Sequence, residues 1–164
     1  MTLNRTFSIA KRIVRQILKD RRSLAMIFVA PLLVMALVGS NFSKSQQTLN
    51  FTGPALICTF VLFFTFMLTG ISFLRERSEG TLDRLLTTPV SRADIIFGYS
   101  LSFFVFAIIQ STIILLFSIF VLDITYLGIL WHMFVVVIML AIVAVNLGVF
   151  VSTFAKNEFQ VIQF

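Results

Sequence analysis

Charge is scarce in this sequence. Only 12% of its 164 residues are Asp, Glu, Lys or Arg, while 59% are hydrophobic and the mean hydropathy is +1.02. A soluble domain needs polar residues to cover its outside, and here there are too few, so lipid must be the solvent for most of the chain. Cysteine is nearly absent. A lone Cys58 inside an apolar run excludes a disulfide framework and a paired-cysteine metal site within the chain, and reads as a small packing residue. The seven acids are Asp20, Glu76, Glu79, Asp83, Asp94, Asp123 and Glu158. Only Glu76, Glu79, Asp83 and Asp94 lie close together, with arginines among them and no histidine nearby, which argues against a membrane-embedded enzyme built on carboxylates or a metal. The single histidine, His132, has no Cys, Asp or Glu near it in sequence, so it reads as polar lining rather than a ligand. A Gly-x-x-x-x-Gly-Lys-[Ser/Thr] phosphate loop is missing, which excludes ATP hydrolysis by that route. No enzyme activity, cofactor or metal is expected.

What remains is four long apolar segments without a charged residue, at 24–42, 54–74, 97–122 and 127–152. Each is long enough to cross a hydrocarbon core of roughly 30 Å, which takes about 20 helical residues. In lipid every backbone polar group needs an internal partner, so these segments are expected to be helices despite their many β-branched residues. The expected fold is therefore all-α: a polytopic membrane protein of four transmembrane helices. The first apolar run lacks a small-residue cleavage site and holds Pro31 at its middle, which reads as a retained helix and not a removed signal peptide. The four residues Asp123 to Tyr126 between the last two segments predict a tight antiparallel hairpin, and SKSQQTLN between the first two predicts a short polar loop.

Lysine and arginine set the orientation. Seven lie in the N-terminal segment (Arg5, Lys11, Arg12, Arg15, Lys19, Arg21, Arg22), four between the second and third crossings (Arg75, Arg77, Arg84, Arg92), and Lys156 follows the fourth. Four crossings put all twelve on one side and only Lys44 on the other, predicting that both termini and the central segment face the cytoplasm. Residues 1–22 are themselves patterned: Phe7, Ala10, Val14, Ile17 and Leu18 recur at helical spacing, opposite Arg5, Arg12, Arg15, Lys19 and Arg22. Such a helix is expected in the headgroup layer, apolar side down, with its basic side chains near anionic membrane lipid. Its direct junction with a membrane helix argues against nucleic acid as the partner of this basic patch. Trp131 reads as an interfacial anchor near the opposite end of the fourth helix.

The interior of the chain mixes charges of both signs in one place only, RERSEGTLDRLLTTPVSR, from Arg75 to Arg92. Gly80-Thr81 can break the incoming helix and start a new one, the Thr81 hydroxyl accepting a backbone N–H. Asp83 suits the positive end of the new dipole, Leu82, Leu85 and Leu86 fall on one side, and Pro89 stops the helix by pushing Thr88 out of helical geometry. The prediction is a short helix within 79–89, with leucines on one face and Glu79, Asp83 and Arg84 around them. Leucines outside the bilayer want a partner. From the pattern alone that partner is another protein or the headgroup layer, with a plain linker as the third alternative.

The stretch RERSEGTLDRLLTTPVSRADIIFGYSLS resembles the permease subunits of type-2 ABC exporters. In that family E-x-x-x-G-T-x-[DE]-x-L-x-x-[ST]-P-V-[ST]-R, after the second membrane helix, forms a coupling helix that docks onto the ATP-binding subunit. The matching positions here are Glu76, Gly80, Thr81, Asp83, Leu85, Thr88, Pro89, Val90, Ser91 and Arg92. RIVRQILKDRRSLAMIFVAPLLVMAL is similar to the family's connecting helix and first crossing, and LGVFVSTFAKNEFQVIQF to the stretch following the fourth. The resemblance implies an ATP-driven exporter of the plasma membrane, with bacterial origin as the expectation. It implies a separate ATP-binding ABC ATPase as one partner and a second permease copy as another. It assigns coupling to Glu76, Gly80, Thr81, Leu82, Asp83, Arg84, Leu85, Leu86 and Pro89. Family members have six crossings, so this chain is expected to be the N-terminal part of such a permease.

If that holds, the path-lining candidates are Gln110, Ser111 and Thr112 midway along the third crossing and Asn146 in the fourth, each of which can equally serve helix–helix hydrogen bonding. Ala144, Gly148 and Ser152 form a small-residue stripe that suits packing within the chain or against a second copy. The alternative function is a non-transporting membrane scaffold or immunity-type protein, which would have no use for the Leu82/Leu85/Leu86 face. A secondary transporter would want ionisable residues inside its crossings, and none is present.

Overall fold

The structure, a computed structural model, describes residues 3–42, 46–87, 90–124 and 130–163. Its elements are all helical: α1 (Leu3–Lys19), α2 (Arg21–Leu24), a wide π turn (Ala25–Val29), α3 (Ala30–Phe42), α4 (Gln46–Ser78), α5 (Thr81–Leu86), α6 (Arg92–Phe120), α7 (Leu130–Phe154) and α8 (Glu158–Gln163). Among the described residues there is no strand, as an apolar chain that must satisfy its own backbone requires.

Three helices are long and apolar enough to cross a membrane, over Gln47–Ser78, Ala93–Phe120 and Trp131–Phe154. The first expected crossing is built differently. From Arg21 to Phe42 the helix runs on for about 30 Å at 1.5 Å per residue, but through the π turn, with α3 as a shorter apolar helix. Pro31 explains the break. It has no N–H to give, and its ring collides with the carbonyl one turn back; the chain relieves this by widening the preceding turn, where the Ala30 N–H reaches the Ala25 carbonyl, five residues away.

The other boundaries differ from the sequence reading at their ends. The polar segment before Pro54 is helical from Gln46, because Leu49 is buried and Gly53 lets Ile124, beyond the end of α6, pack directly on α4. Part of the expected loop, Ser43 to Ser45, lies outside the described residues, as do Thr125 and Tyr126 of the expected hairpin. Asp123 opens that turn with a left-handed φ of 48°. The third crossing starts five residues earlier than Phe97, at Arg92, because Ser91 caps it: its side-chain oxygen accepts the Asp94 N–H at 3.1 Å.

α4 and α7 run in the same direction and form the tightest seam of the molecule. A Cβ on Gly148 would sit 2.9 Å from the Phe66 carbonyl oxygen and 3.0 Å from the Gly70 nitrogen, so the two backbones touch. Ala144, Gly148 and Ser152 are all buried there, which decides the small-residue stripe in favour of packing within the chain. α6 runs antiparallel to both. The core lies between α1, α4, α6 and α7, around Ile13, Ile57, Val61, Leu68, Phe103 and Val137.

α1 lies across the start of α6. Its buried stripe is Ile9, Ala10, Ile13 and Ile17, whereas Phe7 and Leu18 are 66% and 55% exposed. The residues expected to share the lipid side are thus divided: Ala10 and Ile17 face protein, while Phe7 and Leu18 share the outer surface with Lys11 and Arg15. Gly98 is the reason, since a Cβ there would meet Ile9 Cγ2 at 2.8 Å, and the Ser102 hydroxyl donates to the Ala10 carbonyl at 3.1 Å.

Candidate functional site

The charged segment singled out in the sequence sits at the end of the bundle where α1, the last turns of α4, α5, the start of α6 and α8 meet. Arg75, Glu76 and Arg77 are consecutive on α4, so the 100° step of a helix aims them at three different neighbours. Between them they tie α4 to α1, α6, α7 and α8.

Glu76 points inward. Its carboxylate is 5% exposed, a position that is costly for a charge unless it is paired and hydrogen-bonded. Both conditions are met: Arg12 Nη2 of α1 donates to Oε2 at 3.1 Å, and the Tyr99 hydroxyl of α6 donates to the same oxygen at 2.7 Å. The Tyr99 hydroxyl in turn accepts from Arg12 Nη2 at 3.2 Å, and its ring stands edge-on to Phe73 with centroids 5.1 Å apart. Three helices are joined through this one fully hydrogen-bonded phenol.

Arg75 points the other way. Its Nη1 donates to Asp20, just past α1, at 3.0 Å, and its Nε to Glu158, the first residue of α8. Arg77 closes the end of α7, donating to the carbonyls of Ser152 at 3.1 Å and Ala155 at 3.2 Å, and to that of Thr153. Those are the groups a helix terminus leaves unpaired at its negative end, where a guanidinium is doubly suited. Farther out, the Thr6 hydroxyl of α1 donates to Asp94 of α6 at 3.4 Å. Between α1, α4 and α6 lies a cavity of about 230 Å³ whose polar lining is Gln16, Asp20, Ser72, Arg75, Glu76 and Glu79.

α5 hangs from this clamped end. The expected hydroxyl cap by Thr81 is not what starts it. Gly80 occupies the cap position with φ 69° and ψ 12°, a left-handed conformation that an L side chain resists, and the first bond runs from the Arg84 N–H to the Gly80 carbonyl at 3.2 Å. Gly80 both ends the α4 run and begins α5, leaving Thr81 as the first helical residue. Leu82 and Leu85 are half-buried against the chain's own core, while Arg84 and Glu79 are exposed. The side chains of Asp83 and Leu86 lie outside what the structure describes, as do Thr88 and Pro89 entirely.

The path-lining candidates are not brought together. Gln110 and Ser111 are buried inside the bundle, and Ser111 and Thr112 return their hydroxyls to their own helix, at the Ala107 and Ile108 carbonyls. Asn146 is exposed; its amide donates to the Ile142 carbonyl at 2.7 Å, in a shallow groove between α6 and α7 that also holds Ser100 and Phe104. His132 is exposed, and among the described residues no three His, Cys, Asp or Glu are grouped to hold a metal ion.

Sequence reasoning missed Arg12, Tyr99 and Arg77 as members of the site. Two signals were available: three successive charges closing the apolar run 54–74, and a tyrosine near the start of the run 97–122, where a buried hydroxyl must find a partner.

Comparison with known proteins covers nearly the whole chain. Residues 4–164 match the family model described as "ABC-2 type transporter". "ABC transporter G family member 20" of Dictyostelium discoideum is 29% identical over 121 residues, 74% of this chain and 17% of that protein. "Probable multidrug ABC transporter permease YbhR" of Escherichia coli (strain K12) is 28% identical over 110 residues, 67% of this chain and 30% of that protein. "Probable multidrug ABC transporter permease YbhS" of the same strain is 22% identical over 122 residues, 74% of this chain and 32% of that protein. The chain therefore spans less than a third of the length of these relatives. No solved structure matches it.

Proposed function

The chain belongs to the ABC-2 type transporter family and is a multi-pass membrane component of a transporter, and from that premise we propose that it couples a separate ATPase to efflux. In this reading the charged end faces the cytoplasm of a cell whose plasma membrane it spans, as the lysine and arginine bias favours. A phosphate-loop ATPase docks against α5 and its exposed neighbours Glu79 and Arg84. A second permease copy supplies the other wall of the transport path, toward which the exposed Asn146 contributes a polar group. The multidrug permeases among its relatives favour export as the direction.

One observation carries the coupling reading. α5 bridges α4 and α6, and the end of α4 from which it hangs is fastened to α1, α6, α7 and α8 by three consecutive charged residues. A push on α5 therefore moves the ends of several helices together rather than bending a loop. Gly80, Thr81, Leu82, Asp83, Arg84, Leu85, Leu86 and Pro89 form the contact, and Glu76 fixes the lever behind it without touching the partner.

Arg84→Glu is the cleanest test, because Arg84 is exposed and its replacement leaves the core alone. Coexpressed with its ATPase, the variant should insert normally, lose ATPase on co-purification and lose permease-stimulated ATP turnover. Normal retention and turnover would refute the docking role. Leu85→Asp should show the same loss more strongly, since it also places a charge on a half-buried position.

A further inference from the structure

Among the described residues, three polar side chains buried in the bundle lack any hydrogen bond: Gln110 of α6, and Thr65 and Thr69 of α4. Gln110 of α6 is 1% exposed, and both its amide nitrogen and its amide oxygen lack a hydrogen bond; Thr65 of α4 is 0% exposed, and its hydroxyl lacks one too. The Thr65 and Thr69 hydroxyls are unusual for this chain. Thr52, Thr59, Ser111, Thr112 and Ser118 all donate to the carbonyl four residues back on their own helix, and Thr65 and Thr69 do not; of these two, Thr69 packs against Gly148 of α7. A buried amide left unpaired in lipid is costly, and such a group in a native fold calls for an explanation.

The register of α4 and α6 supplies one. Glu76 and Tyr99 are hydrogen-bonded at 2.7 Å, which fixes the level and the facing sides of these antiparallel helices at the charged end. Thr65 lies eleven residues before Glu76 on α4, and Gln110 lies eleven residues after Tyr99 on α6. Eleven residues are three turns plus about 20°, and a rise of about 16 Å. Thr65 and Gln110 therefore stand at the same depth, each on the face its helix turns to the other.

We propose that Thr65 and Gln110 form a polar seam with two arrangements. In the one described here both groups are unpaired. In the other, α4 and α6 close in mid-membrane and the Thr65 hydroxyl and the Gln110 amide bond to each other. Because α5 joins these same two helices, the seam is the place where a displacement of α5 would be felt inside the membrane. That link to α5 rests on the coupling reading above; the seam itself does not. The unpaired state is the source of the tension, since the closed arrangement relieves the desolvation of both groups at once.

The test is disulfide trapping in native membranes, with Thr65→Cys and Gln110→Cys in a Cys58→Ser background and a lipid-permeable copper oxidant. A disulfide needs the two Cβ atoms within about 4.5 Å, so it reports closure of the seam. The pair should cross-link within one chain several-fold faster than Thr65→Cys with Ile114→Cys, displaced by one turn of α6. A rate no higher than that control overturns the proposal. Independently, Gln110→Leu should raise the melting temperature of the purified protein by removing the unpaired amide, and a fall would mean that Gln110 already has its partner and would likewise overturn it. Both readouts use the permease alone. Failure of ATPase docking would therefore sink the coupling reading and leave the seam in place.

Discussion

Replacing Gly148 by alanine adds one methyl group where the backbones of α4 and α7 meet. The new Cβ would lie 2.8 Å from Thr69 Cβ, 2.9 Å from the Phe66 carbonyl oxygen and 3.0 Å from the Gly70 nitrogen. Carbon contacts settle at about 3.5–4.0 Å, so α4 and α7 would have to part by roughly 0.5–1 Å along the seam that holds them. Two of the three neighbours are backbone and cannot rotate away. Alanine gains about 1 kcal/mol over glycine in helix propensity, while overpacking of this kind costs about 1–3 kcal/mol. With rigid neighbours the upper half of that range applies, giving a net loss of about 1–2 kcal/mol and a fall in melting temperature of about 2–8 °C.

Cys58 provides the assay. It is half-buried on α4, and its labelling by a thiol-reactive dye during a thermal ramp in detergent reports the opening of the bundle. Gly70→Ala on the other side of the seam is the internal comparison. A Cβ there would meet only a side chain closely, Val161 Cγ1 at 2.5 Å, with the nearest backbone atom, the Gly148 oxygen, at 3.5 Å. Val161 can turn or lift α8 slightly, so Gly70→Ala should cost much less than Gly148→Ala. The reasoning is wrong if Gly148→Ala melts with the wild type, or if Gly70→Ala is the more damaging of the two.

The charged end yields two further predictions. Arg12→Gln should destabilise more than Glu76→Gln, because the first leaves a carboxylate that is 5% exposed with only Tyr99 for company, whereas the second leaves a guanidinium that is 39% exposed and still hydrated. Equal losses in a side-by-side thermal melt would mean that Glu76 is not buried as described. Arg77→Lys keeps the charge but cannot span the three carbonyls at the end of α7, so α8 should loosen and limited trypsin should cut faster at Lys156 while the three long helices stay intact. Unchanged cleavage at Lys156 would show that Arg77 does not hold that end.

How much of this was readable in one dimension varies along the chain. An uninterrupted apolar run in lipid has no alternative to a helix, so composition settled the all-α class and the three long spans. The break at Pro31 was legible as a residue but not as a shape: whether the helix kinks, stops or widens into a π turn depends on what packs around it. Boundaries slipped wherever tertiary contact overrode local polarity. Gln46 to Gly53 look like a loop until Ile124, far along the sequence, packs on Gly53 and Leu49 is buried in the core. The charged segment stood out by itself, as did the turn at Gly80, although the sequence assigned the capping to Thr81 and the backbone assigned it to the glycine.

Partnership is what the linear pattern could not contain. Glu76 reads as one more charge in a surface stretch, and nothing within ten residues announces that Arg12 and Tyr99 converge on it from separate helices. Gln110 reads as a polar dot in an apolar line, and only the register of α4 against α6 sets Thr65 opposite it. Periodicity determines which side of a helix is oily and charge bias determines which end is wet, because both are properties of one segment in its solvent. Which helix that side meets, and which charge finds which, are decided by the crossing of segments far apart in sequence, here at Gly98 and Gly148, where the absence of a side chain lets two backbones come close enough to fix everything around them.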